Sequence, residues 1–197
     1  MLFTIAVMLG QAASSPPELE TVRAWFEAGQ HQDVIAVPLA DDSAPALVYQ
    51  IAQSHDSLEQ ASAARVAYER LAARPATDAW HFIGRAATLL ADGQTAQAVT
   101  AAQQAVAAAP DVAAAHYQLG LAQAGLRNYA KAAPAFEAAI SVDPTPAYAH
   151  YYAGLSYYQA ERIDLMARYF ESFLRLAPNA PERPQVESIM RTVRGRR

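Results

Sequence analysis

A chain of 197 residues with 53% hydrophobic content and 17% charged residues is long enough for one continuous core and too apolar for a disordered polyelectrolyte. Its net charge of -4 excludes a general attraction to nucleic acid or anionic lipid. The lack of cysteine excludes disulfides, thiolate zinc sites and catalytic thiols. Much of the apolar content is alanine, a strong helix former, and no segment alternates cleanly as a half-buried strand would.

In chain order, the opening "MLFTIAVMLGQAASSPP" sets an apolar run, Leu2 to Leu9, ahead of small residues Gly10, Ala12, Ala13 and Ser14. That order is expected of a secretory signal, so residues 1–15 read as a signal peptide or an apolar N-terminal segment packed on the domain. The run is too short for a stable membrane span, and no Lys or Arg precedes it. A signal would make the protein periplasmic or secreted; otherwise it is cytoplasmic.

From there a beat of 34 residues sets in, fixed by Pro110, Pro144 and Pro178. Residues 18–44 hold a degenerate first unit, in which "EAGQHQDVI" parallels the later "ADGQTAQAV" and Pro38 interrupts the second helix. Residues 45–78 give Ile51-Ala52, then Ala64-x3-Tyr68-x2-Leu71, with Pro75 one place early. Residues 79–112 give Phe82 and Ala86, then Ala98-x3-Ala102-x2-Ala105 and Pro110. Residues 113–146 give His116-x2-Leu119-Gly120, then Ala132-x3-Phe136-x2-Ala139 and Pro144. Residues 147–180 give Ala153-Gly154-x2-Tyr157, then Met166-x3-Phe170-x2-Phe173 and Pro178. Residues 181–197 place Val186, Ile189, Met190 and Val193 at helical spacing, the pattern of a capping helix, and end in a basic tail.

Each feature of the beat has a mechanical reason. Small residues at Gly120, Ala132 and Ala139 let two helices approach closely. Phe136 and Phe170 supply large area at each contact. The prolines stop each second helix, because proline cannot donate the interior hydrogen bond and pushes its predecessor out of the α region. Pro134 breaks this rule, lying inside the second helix of the fourth unit, where a kink is expected.

These motifs resemble those of the tetratricopeptide repeat, with His116 in the place usually held by Trp and Gln123 where Tyr is common. The resemblance implies an all-α fold: a helix-turn-helix repeat solenoid, winding as a right-handed superhelix of stacked units closed by a C-terminal capping helix. It further implies that the first helix of each unit lines a concave groove for a partner's peptide or helix. Carried over by position, the groove residues are Trp80, Ile83, Ala87 and Leu90; Ala114, Tyr117 and Leu121; and Tyr148, Tyr151, Leu155 and Tyr158. Tyr and Trp suit such a surface, since they offer large apolar area with a polar handle. The family's subgroup that clamps a C-terminal carboxylate uses Lys and Asn on first helices, whereas Lys131 is the only lysine here and falls in a second helix.

Other chemistries find little support. His116 and His150 occupy equivalent places in adjacent units, but no Asp or Glu completes a metal site, and packing in the Trp place explains both. The pair Gly120-x4-Gly125 is followed by Leu126-Arg127, not by the Lys and Ser or Thr of a phosphate-binding loop, and no catalytic motif occurs. The expectation is a non-enzymatic adaptor or scaffold without cofactor or metal, binding a protein or peptide and not nucleic acid, in an envelope or secretion complex. The alternatives are a self-associating spacer and a regulatory subunit of an enzyme encoded elsewhere. The oligomeric state does not follow from the sequence.

Overall fold

The structure is a computed structural model that describes residues 19–195, so the apolar segment expected at 1–15 lies outside the described residues. The described residues form eleven helices and no strand. These are α1 Leu19–Glu27, α2 His31–Ile35, α3 Pro45–Ser57, α4 Ala61–Ala72, α5 Ala79–Ala91, α6 Thr95–Ala108, α7 Ala113–Gly125, α8 Tyr129–Val142, α9 Ala147–Gln159, α10 Ile163–Leu176 and α11 Arg183–Arg194. They pack as consecutive pairs, each helix against the one before and the one after. The molecule is therefore an all-α solenoid of helix pairs.

One turn joins the helices of every pair. Gly29, Glu59, Gly93, Arg127 and Glu161 all take positive φ, between 58° and 73°. The amide after each donates to a carbonyl five residues back: Gln30 to Trp25, Gln60 to His55, Gln94 to Leu89, Asn128 to Gln123 and Arg162 to Tyr157, at 2.8–2.9 Å. This left-handed stop satisfies the last carbonyls of one helix and reverses the chain into the next. The first pair uses the same turn although its second helix is only five residues long. That helix ends at Ile35, before Pro38 is reached.

Packing within pairs follows a small-against-large rule. A side chain on Gly120 would meet the Phe136 ring at 2.6 Å, and one on Gly154 would meet Phe170 at 2.5 Å. Those rings, both wholly buried, fill the space the glycines leave. In the third pair the same places hold Ala86 and Ala102, also wholly buried, so two methyl groups replace ring and hydrogen. Pro134 lies in an unbroken α8 with its ring exposed, so its missing N–H leaves one gap in the hydrogen-bond ladder on the solvent side.

The inner layer of the curve is made by the first helices. Besides its sequence neighbours, α5 packs on α7 and α7 on α9, a shortcut available only on the inside of a bent stack. The two histidines sit at the joints between pairs. His116 donates through Nε2 to the Pro110 carbonyl at 2.8 Å, and His150 to the Pro144 carbonyl at 3.0 Å. Each imidazole thus binds the proline that ends the preceding pair, which ties one unit to the next. Among the described residues there is no cluster of His, Asp or Glu able to hold a metal ion. No helix there is long and apolar enough to cross a membrane.

Candidate partner-binding groove

The inner helices carry an aromatic run. Tyr117 meets Phe136 at 5.6 Å between ring centres and Tyr152 at 6.0 Å; Tyr152 meets Tyr151 at 5.1 Å, and Tyr151 meets Tyr148 at 6.2 Å. At the other end Tyr49 lies 5.8 Å from Trp80 and 6.1 Å from Tyr68. The edge-to-face angles of most of these pairs set the positive rim of one ring against the face of the next, which fixes the rings without filling the groove.

The positions singled out in the sequence divide into two sets. Trp80, Tyr117, Leu121, Tyr148, Leu155 and Tyr158 are half-buried and keep surface open to a partner. Ile83 is wholly buried and Tyr151 is 8% exposed, the ring of Tyr151 being packed on Phe173 of α10 at 5.2 Å. These two act as floor beneath the groove. Tyr148 and Tyr151 also reach the start of the capping helix, where Tyr148 donates to Glu182 at 3.1 Å and Tyr151 approaches Gln185 at 3.5 Å. Both partners stand 34 residues further on, so α11 continues the beat as one more inner helix. It puts a carboxylate and an amide where the unit before it has Tyr148 and Tyr151.

Several groove residues escaped sequence reasoning. Tyr49 holds the place of Ile83, Tyr117 and Tyr151 in the second unit, and extending that column upstream would have found it. Gln118 and Asp56 gave no comparable signal. Gln118 is 2% exposed and its amide nitrogen donates to the Tyr49 hydroxyl at 3.0 Å, although a whole helix pair separates α3 from α7 along the chain. The carbonyl oxygen of the same amide is buried without a partner among the described residues.

Charge in the groove is negative. Tyr68 donates to Asp56 at 2.7 Å, and burial nonetheless pushes the Asp56 carboxyl above its ordinary value, with the Tyr68 bond and His55 acting in opposition. Burial also raises Tyr49, Tyr117 and Tyr148, and it pushes Tyr152 up to about 12. Among the described residues, the charged side chains acting on Tyr49, Tyr151 and Tyr152 are Asp56 and Glu182. Tyr152 feels both charges. The arrangement brings together donors, acceptors and rings, groups that serve recognition.

The sequence profile of the tetratricopeptide repeat matches residues 83–140 and 117–181. The chain belongs to the tetratricopeptide repeat family. Among solved structures, this tetratricopeptide chain is similar to TTC0263, a thermophilic TPR protein in Thermus thermophilus. The identity is 18%, the match covers 87% of this chain and 96% of that one, and the TM-score is 0.62. It is also similar to the first TPR of Spaghetti (RPAP3) bound to HSP90 peptide SRMEEVD, at 16% identity over 60% of this chain and 95% of that one, with a TM-score of 0.57. A third likeness is to MamA, at 21% identity over 80% and 91% with a TM-score of 0.50. At these identities the likeness establishes the solenoid fold. No curated protein matches the chain in sequence. Proteins of this repeat family are in general interaction modules, and a protein or peptide partner is the corresponding assignment here.

Proposed function

We propose that this protein is a non-enzymatic adaptor or scaffold that holds a segment of a partner protein, peptide or helix, in the groove formed by α5, α7 and α9. The observation that carries the reading is the run of half-buried Trp80, Tyr117, Leu121, Tyr148 and Leu155 along the inner helices, which leaves apolar area open beside polar tips. Rigid aromatic surface of this kind binds at low entropic cost. The peptide-bound Spaghetti domain supports the same use of a related solenoid. An exported adaptor would serve an envelope or secretion complex, a place that rests on the apolar run within residues 1–15.

The test is site-specific photocrosslinking in the native host. A photoreactive residue at Leu121 or Leu155 should capture a partner, and one at Val66, which is 68% exposed on α4, should not. Capture from Val66 alone would overturn the groove reading. Mass spectrometry of the same preparation reads whether residues 1–13 are present, and an intact N-terminus would retire export. A self-associating spacer is the second reading, supported by the cleft between α10 and α11 where Ile163, Met166, Met190 and Val193 meet. Sedimentation of a strict monomer at micromolar concentration would exclude it.

A further inference from the structure

The inner layer of the solenoid curves tightly enough to meet itself. Within it α3 already touches α7 past α5, where the Gln118 amide donates to the Tyr49 hydroxyl at 3.0 Å. The same curve, carried one helix further at each end, brings the first inner helix to the fifth. Arg23 of α1 donates to Asp143 at 2.5 Å and to Thr145 at 2.6 Å, both in the connection from which α9 starts. Since α1 packs on α3, Tyr49 of α3 on Trp80 of α5, α5 on α7 and α7 on α9, this contact joins the two ends of the inner layer into a ring. A segment laid into the groove from the side has to pass that junction.

Three features make the junction releasable. Neither side is stranded when it parts, because Arg23 keeps Glu27 at 2.9 Å and Asp143 keeps the Thr145 hydroxyl and amide. The first pair is also lightly held: α2 has only five residues, and the core it shares with α3 consists of Val22, Val34, Val37 and Ile51. A unit with few buried apolar contacts is among the first to move. Lastly, the connection at 36–44 is longer than those between later units at 73–78, 109–112, 143–146 and 177–182. Leu39 packs on the clusters on either side of it and Arg70 holds the Ala40 carbonyl, which places the pivot within that connection.

On the groove reading above, we infer that α1–α2 is a gate on the partner groove. The structure holds it shut, with Arg23 as the latch on Asp143 and Thr145, and a partner segment is admitted when the pair tilts away about residues 39–40. The latch is partly exposed, so salt weakens it. The affinity for a partner is then set by the fraction of molecules whose gate is open.

The chain has no cysteine, which lets one molecule be read in both states. Arg23→Cys with Thr145→Cys removes the latch, and a short bismaleimide across the two thiols restores it covalently. Circular dichroism establishes that both forms are folded. Short peptides are selected from a random phage library on the uncrosslinked form and measured by fluorescence anisotropy. They are expected to lose binding with Leu121→Ala and Leu155→Ala, and to bind the crosslinked form at least about tenfold more weakly than the released one. The unsubstituted chain should fall between the two and approach the released form in about 1 M salt. Two thiols that the bismaleimide cannot join would deny the shut state and overturn the gate. So would peptides that need Leu121 and Leu155 yet bind crosslinked and released forms alike, an outcome that leaves the groove reading standing. Peptides indifferent to Leu121→Ala and Leu155→Ala, or no peptides at all, would overturn both.

Discussion

Arg23 in α1 binds Asp143, 120 residues further along the chain, at 2.5 Å. The same guanidinium donates to Thr145 at 2.6 Å, and Thr145 in turn binds Asp143 through both hydroxyl and amide. A solenoid stabilised by neighbour contacts alone leaves its ends free. Here the first unit is clasped to the joint between the fourth and fifth. Because the Arg23 and Asp143 side chains keep 35% and 23% of their surface, solvent screening holds the clasp to about 0.2–1 kcal/mol. Arg23→Ala should therefore lower Tm by only a few degrees. Its effect on shape should be larger, and small-angle scattering should show an increased radius of gyration. An unchanged scattering curve would mean that the inner-helix contacts hold the curvature without the clasp.

The glycines of the inner helices differ in what surrounds them. A side chain on Gly84 would meet backbone atoms of α4, Ala72 N at 2.4 Å and Tyr68 O at 2.6 Å, whereas Gly120 and Gly154 face the rings of Phe136 and Phe170. Backbone in a packed helix cannot give way, and a ring can shift slightly. Overpacking costs about 1–3 kcal/mol, partly offset by the ~1 kcal/mol that alanine gains over glycine in a helix. Gly84→Ala should be the most destabilising of the three, read as the shift in urea midpoint. Equal effects at all three would refute this account.

Two departures from local preference should yield stability when removed. Pro134→Ala restores an α8 hydrogen bond at an exposed position and should stabilise by up to ~3 kcal/mol. Glu59, Arg127 and Glu161 hold φ of 58–60° without being glycine, a conformation that costs about 1–2 kcal/mol in an L-residue. Replacing each by Gly should raise Tm, as Gly29 and Gly93 already occupy the equivalent turns. A fall in Tm at Arg127→Gly would show that its side chain contributes more than its backbone costs.

Stability should depend on pH through two kinds of group. The Asp56 carboxyl is raised above its ordinary 3.8 chiefly by burial. Its contribution to stability is thus full below 3.8 and is lost as pH rises through the raised value. Because Asp56 keeps much of its surface in solvent, Asp56→Asn should raise Tm only slightly at pH 7, and it should lose that advantage at a pH of about 2.5, where the carboxyl is protonated in both states. His150 and His31 are shifted the other way, lowered from 6.5 first of all by burial. Their contribution is present above 6.5 and falls away as pH drops toward the lowered values. Calorimetric titration of His150→Gln against the parent should show a flatter profile in that window.

The architecture was legible because the repeat is local. Ala132, Phe136, Ala139 and Pro144 act on helices adjacent in the chain, so their spacing carries both the contact and the stop. The left-handed turns were legible at Gly29 and Gly93 and hidden at Glu59, Arg127 and Glu161, where the side chain gives no sign of the backbone. For the groove, the period gave the column of candidates, and it could not tell the buried Ile83 from the half-open Tyr117 two helices later.

The sequence by itself determined the helix pair, its length and the small-against-large packing that stacks one pair on the next. Only the tertiary structure decided that Gln118 reaches Tyr49, that Tyr148 reaches Glu182 at the start of α11, and that Arg23 closes on Asp143. The reason is geometric. Each unit rotates slightly on the last, and that rotation is set by many small packing choices along the stack. Its sum over several units, absent from any single repeat, brings distant side chains together.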